Sequence, residues 1–273
     1  MLMGGVPVKN GSICVNGNHF DYIQFGKGKK NLIMIPGLGD GLVTVKNKAF
    51  MGKLLFQPYT KDYTVTLISR KNEYDENATT FRMAAEQAAV MEALGICNAH
   101  VVGVSQGGMI AQHLAADYPD LVDRLVLVVT VPKSNGMIRE NVDRWISLAE
   151  KHDFKGLMID VNEKSHPDKI LKKQRKYYPF MALMLRKPDV RRFVIQANAC
   201  KNHDALEKAK TIQAPTLVIG GAEDVTLGCE GARILAQIIP GSQLVVFSGQ
   251  GHALYEDEKQ FHNTVLSFLQ KNG

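Results

Sequence analysis

The sequence predicts an α/β fold: a mostly parallel sheet with helices on both faces and one helical insertion. Three observations carry the prediction. Short runs rich in Val, Ile and Leu alternate with amphipathic stretches, the pattern of strands covered on both sides and joined by crossover helices. The alternation stops after Val131-Pro132 and resumes at Pro215. Finally, Gly103-Val104-Ser105-Gln106-Gly107 joins an apolar run directly to a helical stretch, as in a crossover unit of a parallel sheet.

Residues 12–16 and 19–25 flank Gly17-Asn18, a hairpin turn signal, so the chain opens with an antiparallel edge. Buried strands are predicted at 31–35, 63–68, 99–104 and 124–129, where apolar residues are consecutive rather than alternate. A helix over 80–94 places alanines, Met83, Val90 and Leu94 on one face and stops at Gly95, and another covers 109–116. From Lys133 to Gln213 only helices are predicted, including 142–149, 180–185 and 190–200, with breaks at His166-Pro167 and Lys187-Pro188. The rhythm returns as a strand at 215–219, a helix at 229–239, a strand at 243–247 and a closing helix at 257–269. The domain reading is a core of residues 1–132 and 214–273, with residues 133–213 inserted as a helical cap.

Composition narrows the function classes. The longest apolar runs, such as Leu125-Val126-Leu127-Val128-Val129, are too short to span a bilayer, so no membrane partner is expected. Met1-Leu2-Met3-Gly4-Gly5 lacks the basic and apolar regions of a signal peptide, and the expected location is cytoplasmic. Cys14, Cys97, Cys200 and Cys229 are scattered and read as reduced packing residues; neither a metal site nor a cofactor is expected. Residues 133–210 hold 18 Lys and Arg against 10 Asp and Glu. No nucleic-acid recognition motif accompanies that surplus, so it reads as a solvated helical surface, or as a basic cover attracting anionic substrates.

A serine hydroxyl becomes a nucleophile at neutral pH only when a base takes its proton and a third group orients that base. Ser105 sits at the tip of the strand-to-helix turn, where flanking glycines leave room for a close backbone path. Asp224 follows the strand at 215–219, and His252 follows the strand at 243–247 in Gly249-Gln250-Gly251-His252. Both lie after the carboxyl ends of strands, where open parallel sheets bind ligands. Glu223 is an adjacent rival to Asp224, and Glu256 and Asp257 are remote ones. A developing oxyanion needs two backbone donors. Candidates are the amide of Gln106 at a helix N-terminus and the amide of Leu38 in Pro36-Gly37-Leu38-Gly39-Asp40-Gly41. That turn has neither P-loop nor dinucleotide-loop spacing.

With these residues in the order Ser, Asp, His, the chain resembles the α/β-hydrolase superfamily, in its capped branch of esterases, lactonases, carbon–carbon bond hydrolases and perhydrolases. The resemblance extends over nearly the whole length and rests on 103–108, 215–224 and Gly251-His252. It implies an α/β-hydrolase sheet, with Ser105 as nucleophile, His252 as base, Asp224 as orienting acid, and Leu38 and Gln106 as oxyanion donors. Two departures bear on specificity. Relatives often carry His-Gly where this chain has Pro36-Gly37, and many carry Asp-x-x-Gly-x-Gly-x-Ser where this chain has Ser69-Arg70-Lys71-Asn72-Glu73-Tyr74-Asp75. The serine argues against the dehalogenase and epoxide-hydrolase branches, which use an aspartate.

The expected activity is carboxylesterase-like, cleavage of a small or medium carboxylic ester or lactone through an acyl-enzyme. The alternatives are a carbon–carbon bond hydrolase or perhydrolase with the same residues, or a ligand-binding protein on a hydrolase scaffold. The expected partner is a small-molecule substrate, the expected state a monomer or homodimer. Trp145, Met158, Phe180, Met181 and Met184 are the candidate pocket residues of the cap, and each serves equally well as packing between cap and core.

Overall fold

The structure, a computed structural model, describes residues 6–181 and 188–271. Its centre is an eight-stranded sheet in the order β1-β2-β4-β3-β5-β6-β7-β8. The strands are β1 (Val8–Val15), β2 (Asn18–Gly26), β3 (Lys30–Ile35), β4 (Tyr63–Ile68), β5 (Ala99–Val104), β6 (Val122–Val128), β7 (Thr216–Gly221) and β8 (Gln243–Phe247). β1 and β2 are antiparallel to each other and β2 to β4; all other pairings are parallel.

The hairpin turn lies one residue earlier than its sequence signal. Val15 pairs with Asn18, so the turn residues are Asn16 and Gly17, and both have positive φ, 51° and 75°. Asn-Gly is the pair that tolerates this geometry, and the resulting twist matches the flanking strands.

The helices on the sheet are α1 (Ala49–Leu55), α2 (Thr80–Ala93) and α3 (Gln106–Asp117). Between β6 and β7 come α4 (Gly136–Glu150), α5 (Phe154–Ser165), α6 (Asp168–Gln174), α7 (Tyr178–Met181), α8 (Val190–Lys201) and α9 (Leu206–Ala209). The chain closes with α10 (Glu230–Ile238), α11 (Leu254–Asp257) and α12 (Phe261–Leu269). Where one closing helix was predicted, the structure has two, because Glu258 takes an extended conformation after α11. Asn135 and Asp153 cap α4 and α5, their side chains accepting the Ile138 and Gly156 amides. The segment between β6 and β7 touches strand geometry, among described residues, only in one bridge between Lys133 and Asp204.

The consecutive apolar runs of the central strands are explained by two cores, one on each face. Ile33, Ile35, Val101, Leu125, Leu127 and Val218 face one way, with residues of α2, α3 and α10. Leu32, Met34, Val102, Val126, Val128 and Ile219 face the other, with Tyr59 and residues of α12. A third cluster, around Trp145, Leu157, Phe193 and Met109, seats the helical segment on the carboxyl end of the sheet. Truncating one of these fully buried leucines or isoleucines to Ala costs roughly 2–5 kcal/mol.

Candidate active site

The turn from β5 into α3 is built by steric exclusion. A Cβ at Gly107 would lie 1.9 Å from the Ile35 carbonyl oxygen, and one at Gly103 would lie 2.6 Å from that of Gly107. Only glycine lets α3 approach β3 and β5 this closely. Ser105 between them has φ 54° and ψ −118°. This strained conformation lifts the side chain off the sheet. The Ser105 amide donates to Val128 O at 2.9 Å, and its carbonyl accepts from Thr130 Oγ1 at 2.9 Å, tying the turn to β6 and its exit.

Three predicted residues meet here. Ser105 Oγ lies 3.0 Å from His252 Nε2, and His252 Nδ1 lies 2.8 Å from Asp224 Oδ2. Asp224 is buried, and its other oxygen accepts the amides of Thr226 at 2.8 Å and Leu227 at 3.0 Å. Burial pushes this carboxyl upward. The facing His252 and the donated hydrogen bonds outweigh it, holding Asp224 below the usual carboxylate value. The rivals are placed elsewhere: Glu223 is exposed, and Asp257 pairs with His166 Nδ1 at 2.7 Å.

Leu38 opens a short 3-10 turn, Leu38–Gly41, and Gln106 opens α3, so both amides are first-turn donors without an intrahelical acceptor. The two turns touch, since a Cβ at Gly37 would lie 3.4 Å from Ser105 Cβ.

Sequence reasoning missed what holds the Leu38 turn. Arg70 is fully buried and donates to Pro36 O at 2.5 Å and to Gly37 O and Gln106 Oε1 at 2.6 Å each. Its Nε donates to Gln196 Oε1 at 3.0 Å. In a trans peptide the carbonyl of Gly37 and the N–H of Leu38 point in opposite directions. By gripping that carbonyl, Arg70 orients the Leu38 N–H. Asp40 neutralises the guanidinium, with its Oδ2 3.5 Å from Arg70 Nε and 2.7 Å from Arg192 Nη2. Burial raises the Asp40 carboxyl and the two arginines lower it further, so it stays below the usual value. Gln106 completes the cluster by donating to Gln196 O at 2.7 Å and to Cys200 Sγ at 3.0 Å. Burial pushes the Cys200 thiol up to about 12, which makes it a packing group. The one sequence signal was the departure at 69–75.

Ser105 and His252 open on a cavity of about 330 Å³ lined also by Leu38, Leu42, Trp145, Met158, Phe193 and Tyr255. Trp145 and Met158 thus line the same cavity as Ser105 and His252; Trp145 Nε1 donates to Asp160 Oδ2 at 2.8 Å. Met184 lies outside the described residues, as do the side chains of Phe180 and Met181. Leu157, Val161, Phe193 and Tyr255 were missed as lining, although Leu157, Met158 and Val161 share one face of α5 by their spacing. Neither Lys nor Arg lines the cavity among the described residues. A larger cleft of about 640 Å³, lined by Lys71, Glu73, Asp189 and Arg191, contains none of the three aligned residues. No cluster of potential metal ligands occurs among the described residues.

The sequence profile of the alpha/beta hydrolase fold matches residues 30–259. The chain belongs to this family. It is 28% identical over 278 residues to a 2-hydroxy-6-oxononadienedioate/2-hydroxy-6-oxononatrienedioate hydrolase of a Pseudomonas species, covering 95% of this chain and 92% of the relative. Among solved structures it is similar to an alpha/beta hydrolase from a Medee basin deep-sea metagenome, with TM-score 0.84 at 20% identity over 96% of this chain and 98% of that one. The enol-lactonase of Burkholderia xenovorans LB400 superposes with TM-score 0.81 at 20% identity over 96% and 100% of the two chains.

Proposed function

We propose that this hydrolase cleaves a neutral carboxylic ester or lactone through an acyl-enzyme on Ser105. The observation that carries the reading is the hydrogen-bonded line from Ser105 Oγ to His252, 3.0 Å, and on to Asp224, 2.8 Å, at the mouth of an apolar cavity. Ser105 Oγ attacks the carbonyl carbon as His252 Nε2 takes its proton. Asp224 accepts the Nδ1–H bond and stabilises the imidazolium. The negative oxygen forms between the Leu38 and Gln106 amides, each worth roughly 3–4 kcal/mol to the transition state. Collapse expels the alcohol, protonated by His252. Water then gives its proton to the same nitrogen and attacks the acyl carbon, restoring the serine. Every proton in this scheme passes through His252 Nε2, from Ser105 to the alcohol and then from water back to Ser105, while Asp224 holds the imidazole without taking a proton. Residues 133–213 act as the cap, and Trp145 and Met158 line the substrate pocket.

The carbon–carbon bond hydrolase reading is favoured by the relative covering 95% of this chain. That relative's named substrates are dicarboxylates. Two carboxylates call for basic partners, and the described lining here holds no Lys or Arg; its polar side chains include Asp40, Ser105, Ser165, His252 and Tyr255. The neutral ester or lactone is therefore the better match.

The test is hydrolysis of p-nitrophenyl esters from acetate to laurate, beside Ser105→Ala. Turnover abolished in the variant establishes the ester reading, and the chain-length optimum sizes the pocket. A folded wild type as inactive as its variant on esters and lactones, but active on vinylogous diketones, replaces it with the second reading.

A further inference from the structure

Helix α1 is turned inside out. Its small residues, Ala49 and Gly52, are the buried ones. A Cβ at Gly52 would lie 2.8 Å from both Ile23 Cδ1 and Phe25 Cε1, so the helix is pressed onto β2 through its small side. Its large apolar residues face outward: Phe50, Met51, Leu54 and Leu55 are 73, 54, 65 and 59% exposed. Isolated exposed leucines are ordinary. Four bulky apolar side chains on one seven-residue helix form a patch of the kind that marks a binding surface.

The segment that carries the patch is one-sided in charge. Residues 6–61 contain eight lysines and two acidic residues, Asp21 and Asp40. Both aspartates are buried. Lys9, Lys27, Lys29, Lys30, Lys46, Lys48 and Lys61 are exposed. Lys30 has Asp123 at 3.7 Å, and Lys53 donates to the Val6 carbonyl at 3.5 Å. Lys46, Lys48 and Lys61 bracket α1 in sequence, and residues 41–61 hold no Asp or Glu. The first acidic residue beyond, Asp62, accepts from Gln270 at 3.1 Å.

We propose that the α1 face docks on an anionic lipid bilayer. Phe50, Met51, Leu54 and Leu55 enter the boundary between headgroups and acyl chains, and the lysines meet the negative headgroups. A second copy docked on the same face would bring two basic surfaces together, which costs rather than gains energy. The expectation of no membrane partner rested on the lack of a spanning run. A peripheral face requires no such run, and among the described residues no helix is long and apolar enough to cross a membrane.

The test is co-sedimentation of the full chain with vesicles of phosphatidylcholine alone and of phosphatidylcholine mixed with phosphatidylserine. The expected result is binding to the mixed vesicles only, reversed by salt. Phe50→Asp with Leu54→Asp should weaken it by at least about tenfold. Lys46→Glu, Lys48→Glu and Lys61→Glu together should weaken it on the order of a hundredfold. These substitutions are at exposed sites, and an unchanged melting temperature shows that the fold survives them. Three results overturn the proposal. One is no binding to either vesicle. Another is a wild-type dimer that Leu54→Asp converts to monomer, which makes the face a contact between copies. The third is equal binding to both vesicles, which leaves the lysines no part in it.

Discussion

Two buried aspartates lie close to Ser105 and do different work. Asp224 faces a histidine, and Asp40 faces two arginines. Both carboxyls are held ionised against burial by a cationic or hydrogen-bonding neighbour. The difference lies in the partner. A histidine gains and loses its proton near neutral pH, whereas an arginine keeps its charge throughout. The Asp224 side can therefore move protons during a reaction. The Asp40 side can only hold geometry, which it does by fixing the carbonyls of Pro36 and Gly37 through Arg70.

The sharpest way to break the comparison is on the proton-moving side. Ser105→Ala should lower kcat for a p-nitrophenyl ester by about a millionfold with the fold intact. Next, Asp224→Asn should lower kcat by about ten-thousandfold, because the amide favours the wrong histidine tautomer. A variant within tenfold of wild type would show that Asp224 is not the orienting group. On the geometry-holding side, Arg70→Lys keeps the charge but cannot reach the oxygens of Pro36, Gly37, Gln106 and Gln196 together. We expect a roughly hundredfold loss in kcat with KM nearly unchanged, since the interaction lost belongs to the transition state. A change in KM alone would assign Arg70 to substrate binding. Trp145→Ala removes a wall of the cavity and should raise KM by about tenfold for the preferred ester, with a smaller effect on acetate.

The smallest effect is on acid stability. Both carboxyls sit below their usual value, so their stabilisation is complete above the unfolded value of 3.8 and lost as pH falls through the lowered folded values. Thermal melts below pH 4 should show Asp40→Asn losing less stability per pH unit than wild type, by at most about 1.4 kcal/mol per unit. Equal slopes would mean that Asp40 does not titrate on unfolding.

The two sides also differ in how legible they were. Ser105, Asp224 and His252 could be found because each follows the carboxyl end of a strand whose apolar run is plain in the sequence. Strands at 63–68 and 99–104 matched to the residue because burial of nearly every position leaves a strong apolar signature, and the edge strand at 243–247 matched through its run Leu244-Val245-Val246-Phe247 although it is only partly buried. The Asp40–Arg70–Arg192 cluster joins residues 30 and 152 positions apart along the chain, from a short turn, a loop and the helix α8, and no local period links them. An arginine that will be buried looks like any other in one dimension. The pocket was half legible. Trp145 and Met158 stood out by size, whereas Phe193 and Tyr255 reach the cavity only through the packing of α8 and α11.

One small contact has a large consequence. The Ser165 carbonyl, at the end of α5, accepts the Ala253 amide at 2.8 Å, and a Cβ at Gly251 would stand 2.7 Å from the same oxygen. The roof of the cavity and the loop bearing His252 are thus geared together. Moving α5 away from the sheet would cost this hydrogen bond, so the position of the roof and the alignment of His252 with Ser105 are held by one shared contact.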